Sequence, residues 1–273
     1  MFQPLPLAIG LRYLRARRRD RRTSFTSAAS ILGIVVGVVA LITVIAVMSG
    51  FQREIRDRLL GSVAHVTVAG YGGPLEDWSK VVEVAREDGR VVGAAPYVQR
   101  EGLLSGARTS AGLVMGIRPG EERGVSELAT RMRSGSIDDL VDGGFGILLG
   151  DQLAIALGVR VGDRINVTLN EFTSTPIGAI PRSKRFTVVG TFSMGEHTAD
   201  SSFAFIALGD AQRLLRMGEG VSGVRIKVAD LWTAGTVADD LASRIPSPVI
   251  ASVWMGDNRN VFSALALERT VMF

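Results

Sequence analysis

From Thr23 to Gln52 the chain carries no charged residue, and just before this stretch stand seven arginines: Arg12, Arg15, Arg17, Arg18, Arg19, Arg21 and Arg22. The centre of the run, Ile31 to Met48, holds twelve Ile, Leu or Val residues in eighteen. Wound as a helix, those eighteen residues span about 27 Å, close to the ~30 Å hydrocarbon thickness of a bilayer. The aliphatic side chains supply at most about −4 to −7 kcal/mol of insertion free energy. Arginines resist translocation, so the cluster is expected to stay cytoplasmic and everything beyond Gly50 to emerge on the other side. A cleaved secretory signal would have an apolar region of about 7–15 residues ending in small residues. The sequence Val47-Met48-Ser49-Gly50-Phe51 offers no such cleavage site, and Phe25 stands one place too far from Arg22 for a twin-arginine motif. A retained anchor is the expectation.

The net charge of +4 and pI near 9.9 would suggest nucleic acid as a partner if the charge were spread over the chain. It is not. Residues 1–50 hold the seven arginines against one acid, Asp20, whereas residues 51–263 hold 23 basic and 25 acidic side chains. The excess is a topology signal and an attraction to anionic lipid headgroups, which leaves no basic face for a polynucleotide. No cysteine occurs, so disulfides and thiolate chemistry are absent.

The expected layout begins with a basic amphipathic segment over residues 1–22, where Leu5, Leu7, Ile9, Leu11 and Leu14 interleave with arginines. A membrane helix follows over 23–52. Inside it, Ala29, Gly33 and Gly37 repeat every fourth residue; such a face either lets another helix approach closely or reflects how common Gly is in membrane helices. Glu54, Arg56, Asp57 and Arg58 suggest that the helix continues as a solvated stalk.

Residues 53–263 read as a mixed α+β domain. Strand patterns occur at His65–Ala69, Val91–Tyr97, Leu113–Ile117, Ile147–Leu149, Arg164–Leu169, Phe186–Phe192, Phe203–Leu208, Val224–Val228 and Val249–Trp254. Trp78, Val81, Val82 and Ala85 have helical spacing after Asp77, a candidate N-cap. Asp151–Leu157, stopped by Gly158, and Asp210–Met217 and Trp232–Arg244 are further helices. Ser105–Gly143, rich in Gly, Arg and Ser, is expected to hold an excursion or a subdomain break.

Catalytic chemistry is scarce. None of the three lysines, Lys80, Lys184 and Lys227, sits in a phosphate-binding loop, so the chain is not expected to hydrolyse ATP itself. His65 and His197 lack ligand spacing. Ser49 lacks the glycine that precedes it in a nucleophile elbow. The adjacent pairs Asp138-Asp139 and Asp239-Asp240 read as solvated faces. No catalytic, metal or cofactor site is expected.

The stretch Asn170 to Arg185, lying between two strand patterns, is expected to form a long loop. Connections beyond about 12–15 residues tend to be functional. Pro176 and Pro181 stiffen it, and Ile177 and Ile180 put apolar side chains near its middle. It either docks on a partner at reduced entropic cost, or is a long hairpin whose isoleucines fold back onto the domain.

Several segments together resemble the permease subunits of Lol-type lipoprotein-releasing ABC transporters, within the wider superfamily of MacB-like and FtsX-like permeases. They include Ile9-Gly10-Leu11-Arg12-Tyr13-Leu14, Val47-Met48-Ser49-Gly50-Phe51 and Leu148-Leu149-Gly150-Asp151-Gln152-Leu153-Ala154. Leu157-Gly158-Val159, Gly162-Asp163 and the block from Gly195 to Leu208 with Asp200 follow. Trp254, Asn260, Phe262 and Leu267-Glu268-Arg269-Thr270-Val271-Met272-Phe273 close the series. The resemblance implies a bacterial inner-membrane protein with a MacB-like periplasmic domain. It implies that Thr175, Pro176, Ile177, Gly178, Ile180 and Pro181 form a hook for a periplasmic lipoprotein chaperone. It also implies that Val44, Val47, Met48 and Phe51 line a lipoprotein cavity. The implied partners are an ABC ATPase subunit, a second permease copy or a sister permease, lipoprotein substrates and membrane lipid. Residues 264–273 would begin a second membrane helix, so the chain would be an N-terminal portion. An efflux or division permease, and a membrane-anchored periplasmic scaffold independent of ATP, are the alternatives.

Overall fold

The computed structural model describes residues 21–61, 64–175 and 178–253. The amphipathic segment, Arg17, Arg18 and Arg19, the hook residues Pro176 and Ile177, and the expected second membrane helix lie outside the described residues. The chain divides into two compact units, Met1–Asp57 and Arg58–Phe273.

The first unit is built on helix α1 (Arg21–Gly61), which runs unbroken for 41 residues. Its Ala28–Gly50 portion is 23 residues long and apolar enough to cross a membrane, and none of it is buried within the protein. The Thr43 hydroxyl donates to the Val39 carbonyl at 2.8 Å, which satisfies the hydroxyl within the helix itself. Beyond Gln52 the helix continues through Glu54, Arg56, Asp57 and Arg58.

In the second unit, ten strands among the described residues form one connected sheet. An open part has the order β10 (Val249–Val253), β1 (Val66–Gly70), β9 (Gly223–Val228) and β2 (Val91–Ser105). The remaining pairings close a ring. β2 pairs with β3 (Thr109–Ile117), β3 with β8 (Phe203–Ala207), and β8 with β5 (Gly146–Gly150). β5 pairs with β7 (Gly178–Phe192), β7 with β6 (Arg164–Thr175), and β6 returns to β2. The short β4 (Met132–Ser134) pairs with the end of β7. Among the described residues, each ring strand thus has two ladder partners within the ring.

β2 joins the two parts because it divides one edge between them. Val91–Tyr97 bonds β9, and Gly102–Ser105 bonds β6. Its other edge bonds β3 from Tyr97 to Ser105.

Alternation along the ring strands sorts the core into two layers. Ile147, Leu149, Val114, Ala204, Ile206, Phe186 and Val188 belong to one buried cluster, while Leu148, Met115, Ile117, Phe205, Ala207 and Phe192 belong to another. The second layer is covered by residues 118–143, through Leu128, Ile137 and Leu140. That explains why all five residues of β5 are buried: both faces are covered. The covering segment contains helix α3 (Pro119–Glu122) and is held close to β2. A Cβ at Gly93 would lie 2.4 Å from the Gly124 carbonyl oxygen.

The open part packs helix α2 (Trp78–Glu87) and helix α7 (Ala234–Arg244) through Val81, Val82, Ala85, Val237 and Leu241. Helix α4 (Asp151–Leu157) ends at Gly158, whose φ of 68° is the left-handed cap the sequence suggests. Helix α5 (His197–Ser202) and helix α6 (Leu208–Leu215) flank β8.

Several expectations change. Asn170–Arg185 is no loop: its described residues continue β6 and β7. Ser105–Gly143 holds the expected strand, extended to Thr109–Ile117 as the ring strand β3, and then the covering segment 118–143. β2 runs to Ser105 and β3 begins at Thr109, both longer than their apolar patterns. Leu208 opens α6 instead of ending β8, so that helix starts two residues before Asp210 and stops at Leu215. Residues Leu231–Thr233 form a 3-10 turn ahead of α7. Asp77 occupies the N-cap position of α2 but makes no cap bond; its carboxylate accepts instead from Lys80 Nζ and Ser247 Oγ, each at 3.2 Å.

Candidate functional site

The β6–β7 hairpin is the element that leaves the ring. β6 is bonded to β2 as far as Leu169, opposite Gly102, and β7 is bonded to β5 only from Thr187 onward. Between those points, each arm has only the other as ladder partner among the described residues. Phe172 faces Pro181, Thr173 faces Ile180, Ser174 faces Ala179 and Thr175 faces Gly178. The backbone pairing therefore carries the two arms as far as Thr175 and Gly178. Pro181 lacks an N–H and is tolerated in an arm whose outer edge bonds no strand.

The ladder slips where the ribbon departs. Between the pairs Thr168–Ser183 and Phe172–Pro181, three residues of β6 stand opposite Arg182 alone. Extra residues on one strand bend it and sharpen its twist. One of those three is Glu171. Its Oε1 accepts from Arg100 Nε and its Oε2 from Arg182 Nη1, each at 2.9 Å.

Both arginines are themselves anchored. Arg100 lies on the stretch of β2 between the portions bonded to β9 and to β6. Its Nη1 donates to the Gln99 carbonyl at 2.7 Å and to Ser222 Oγ at 3.3 Å. Ser222 Oγ also accepts from the Gln99 N–H at 3.0 Å, so this gap in the sheet is closed by side chains. Arg182 donates to the Leu215 carbonyl at the C-terminal end of α6, one of the carbonyls a helix end leaves open.

Below the bend, Thr168 and Ser183 share a hydroxyl hydrogen bond at 3.0 Å, and Lys184 Nζ stands 4.3 Å from the centre of the Phe145 ring. The structure thus brings Thr175, Gly178, Ile180 and Pro181 together on one ribbon. Sequence reasoning missed its ionic base. The available signal was a Glu and an Arg, Glu171 and Arg182, placed at equal sequence distance from the Thr175–Gly178 pair.

The residues of α1 are described separately. Val44 and Val47 are exposed along it, Met48 less so, and Phe51 lies on the helix. Ala29, Gly33 and Gly37 share a face by their four-residue spacing, and a Cβ added at either glycine would meet no atom within 4 Å. His65 is buried, and its Nδ1 accepts from the Val228 N–H at 3.3 Å, a structural role. Among the described residues, no group of three His, Asp or Glu side chains could hold a metal ion.

Residues 27–244 match the family described as the MacB-like periplasmic core domain. The chain is 51% identical over 272 residues to the lipoprotein-releasing system transmembrane protein LolC of Xylella fastidiosa, covering all of this chain and 66% of that protein. It is 41% identical over 270 residues to LolC of Neisseria meningitidis serogroup B, covering 97% of this chain and 64% of the relative. Among solved structures, the periplasmic region of MacB from Actinobacillus actinomycetemcomitans aligns with a TM-score of 0.49 at 12% identity, over 75% of this chain and 95% of that one. The chain spans about two thirds of the length of the LolC relatives it matches. It belongs to the family of the MacB-like periplasmic core domain and is homologous to the LolC transmembrane proteins.

Proposed function

We propose that the chain is the N-terminal portion of a permease subunit of a lipoprotein-releasing ABC transporter, and that its β6–β7 hairpin captures the periplasmic chaperone that receives the lipoprotein. The observation that carries this reading is the hairpin itself. It is a two-stranded ribbon whose outer edges bond no other strand among the described residues, leaving an otherwise closed ring, in a chain half identical to LolC throughout its length. An extended ribbon with open edges suits docking through backbone and alternate side chains.

The subunit performs no bond chemistry. A separate ATPase subunit hydrolyses ATP, and a second permease copy or sister permease completes the membrane part. The arginines ahead of α1 stay in the cytoplasm, α1 crosses the inner membrane, and residues 53–263 stand in the periplasm. Motion of α1 reaches the domain through the charged stalk. The lipoprotein's acyl chains lie against Val44, Val47, Met48 and Phe51, where an unbranched Met adapts to varied shapes.

Deletion of Thr175–Pro181, or Pro181→Arg, is expected to abolish chaperone pull-down while membrane insertion stays intact. Undiminished capture by the deletion variant would remove the hairpin from this role.

A further inference from the structure

The ladder slips between Thr168 and Phe172, which is also where β6 loses its hold on the ring. A two-stranded ribbon held only by its own ladder would pivot at such a point. In this structure the pivot is occupied. Glu171, inside the slip, is held by Arg100 from β2 and Arg182 from β7, and these two reach in turn to the Gln99 carbonyl and Ser222 on one side and the end of α6 on the other. The side chains are about one fifth to two fifths exposed, so the ions keep partial contact with water. In that setting the arginine forks contribute direction more than strength.

We infer that Arg100, Glu171 and Arg182 form a clamp that fixes the direction in which the hairpin tip points, and are positioning residues for partner capture. The inference rests on the hairpin reading above. Without the clamp the ribbon stays folded, because its ladder is unchanged, but its tip samples many directions. Capture then weakens in proportion to the fraction of time spent in the competent one.

The absence of cysteine makes the test direct. Spin labels are placed at Thr173→Cys on the ribbon and Arg133→Cys on β4, in the full-length protein in lipid nanodiscs. The distance distribution and the affinity for the purified lipoprotein chaperone are then measured. Glu171→Gln is expected to broaden the distribution clearly and weaken capture about tenfold. Arg100→Lys combined with Arg182→Lys keeps both charges but loses the planar forks that set direction, and is expected to broaden the distribution and weaken capture as Glu171→Gln does. A distribution as narrow as the parent's overturns the clamp, and so does a broadened one with unchanged affinity. Deletion of Thr175–Pro181 separates the two readings. If deletion abolishes capture and Glu171→Gln does not weaken it, the clamp fails and the hairpin role stands. If neither variant affects capture, both fail together.

Discussion

Arg225 on β9 donates through Nη2 to Oε2 of Glu122, a carboxylate with no exposed surface in the segment that covers the ring. The pair bridges the open part of the sheet and residues 118–143. The Arg225 guanidinium also stands 5.5 Å from the centre of the Tyr97 ring. Burial pushes the Tyr97 phenol up, against the opposing pull of Arg225 and Arg100.

Removing one partner of this pair strands a charge. Glu122→Gln is expected to destabilise the domain by about 3–5 kcal/mol, whereas Glu122→Leu combined with Arg225→Met is expected to cost much less. Urea unfolding followed by tryptophan fluorescence compares the three. Equal losses in the single and double variants would show that the pair makes no such contribution.

Gly150 ends β5 directly against the backbone of Asp200. A Cβ there would lie 2.2 Å from the Asp200 carbonyl oxygen, and backbone cannot rotate away. Gly150→Ala is therefore expected to lower stability by about 1–3 kcal/mol or more. Gly89→Ala, where a Cβ meets nothing within 4 Å, is expected to be neutral or slightly stabilising. Thermal unfolding of both variants distinguishes a local clash from a general intolerance of alanine.

Asp88 links stability to pH. Hydrogen bonds from the Arg90 side chain and backbone hold its carboxyl down, from 3.8 to about 2. Because the folded value is depressed, this stabilising contribution is complete above about pH 4 and is lost as pH falls towards 2. The Asp88→Asn variant is expected to lose less stability than the parent between pH 4 and pH 2. Identical acid profiles would contradict the assignment.

Gly33 and Gly37 are bare on α1 within this chain. Replacing both with Ile should leave insertion unchanged, yet weaken association with a neighbouring membrane helix by about 1–2 kcal/mol if their face packs against one. Co-purification of the second permease subunit with the doubly substituted protein reads this directly. Full retention would assign the glycines to lipid.

Orientation is open to a direct assay. Protease added outside right-side-out inner-membrane vesicles is expected to digest the chain beyond residue 60 and to spare the arginine cluster. Protection of the domain would reverse the topology.

Local composition alone marked a helix long and apolar enough to cross a membrane, because an uncharged thirty-residue run beside arginines carries its own solvent preference wherever the rest of the chain folds. It also placed most strand centres, since Ile147, Leu149, Ala204 and Ile206 alternate with residues of the second core layer. What it could not show was how those strands close. The ring depends on β2 dividing one edge between β9 and β6, a pairing between segments more than sixty residues apart. From sequence alone, loop and hairpin stay open for this segment for a related reason. Period-2 alternation marks a strand lying against a core, and Asn170–Arg185 lacks that alternation while its backbone ladder persists. The ionic clamp joins Arg100, Glu171 and Arg182 from three different strands. Only tertiary structure decides which charges meet, because side-chain charge fixes what a residue can pair with and chain topology fixes what comes within reach.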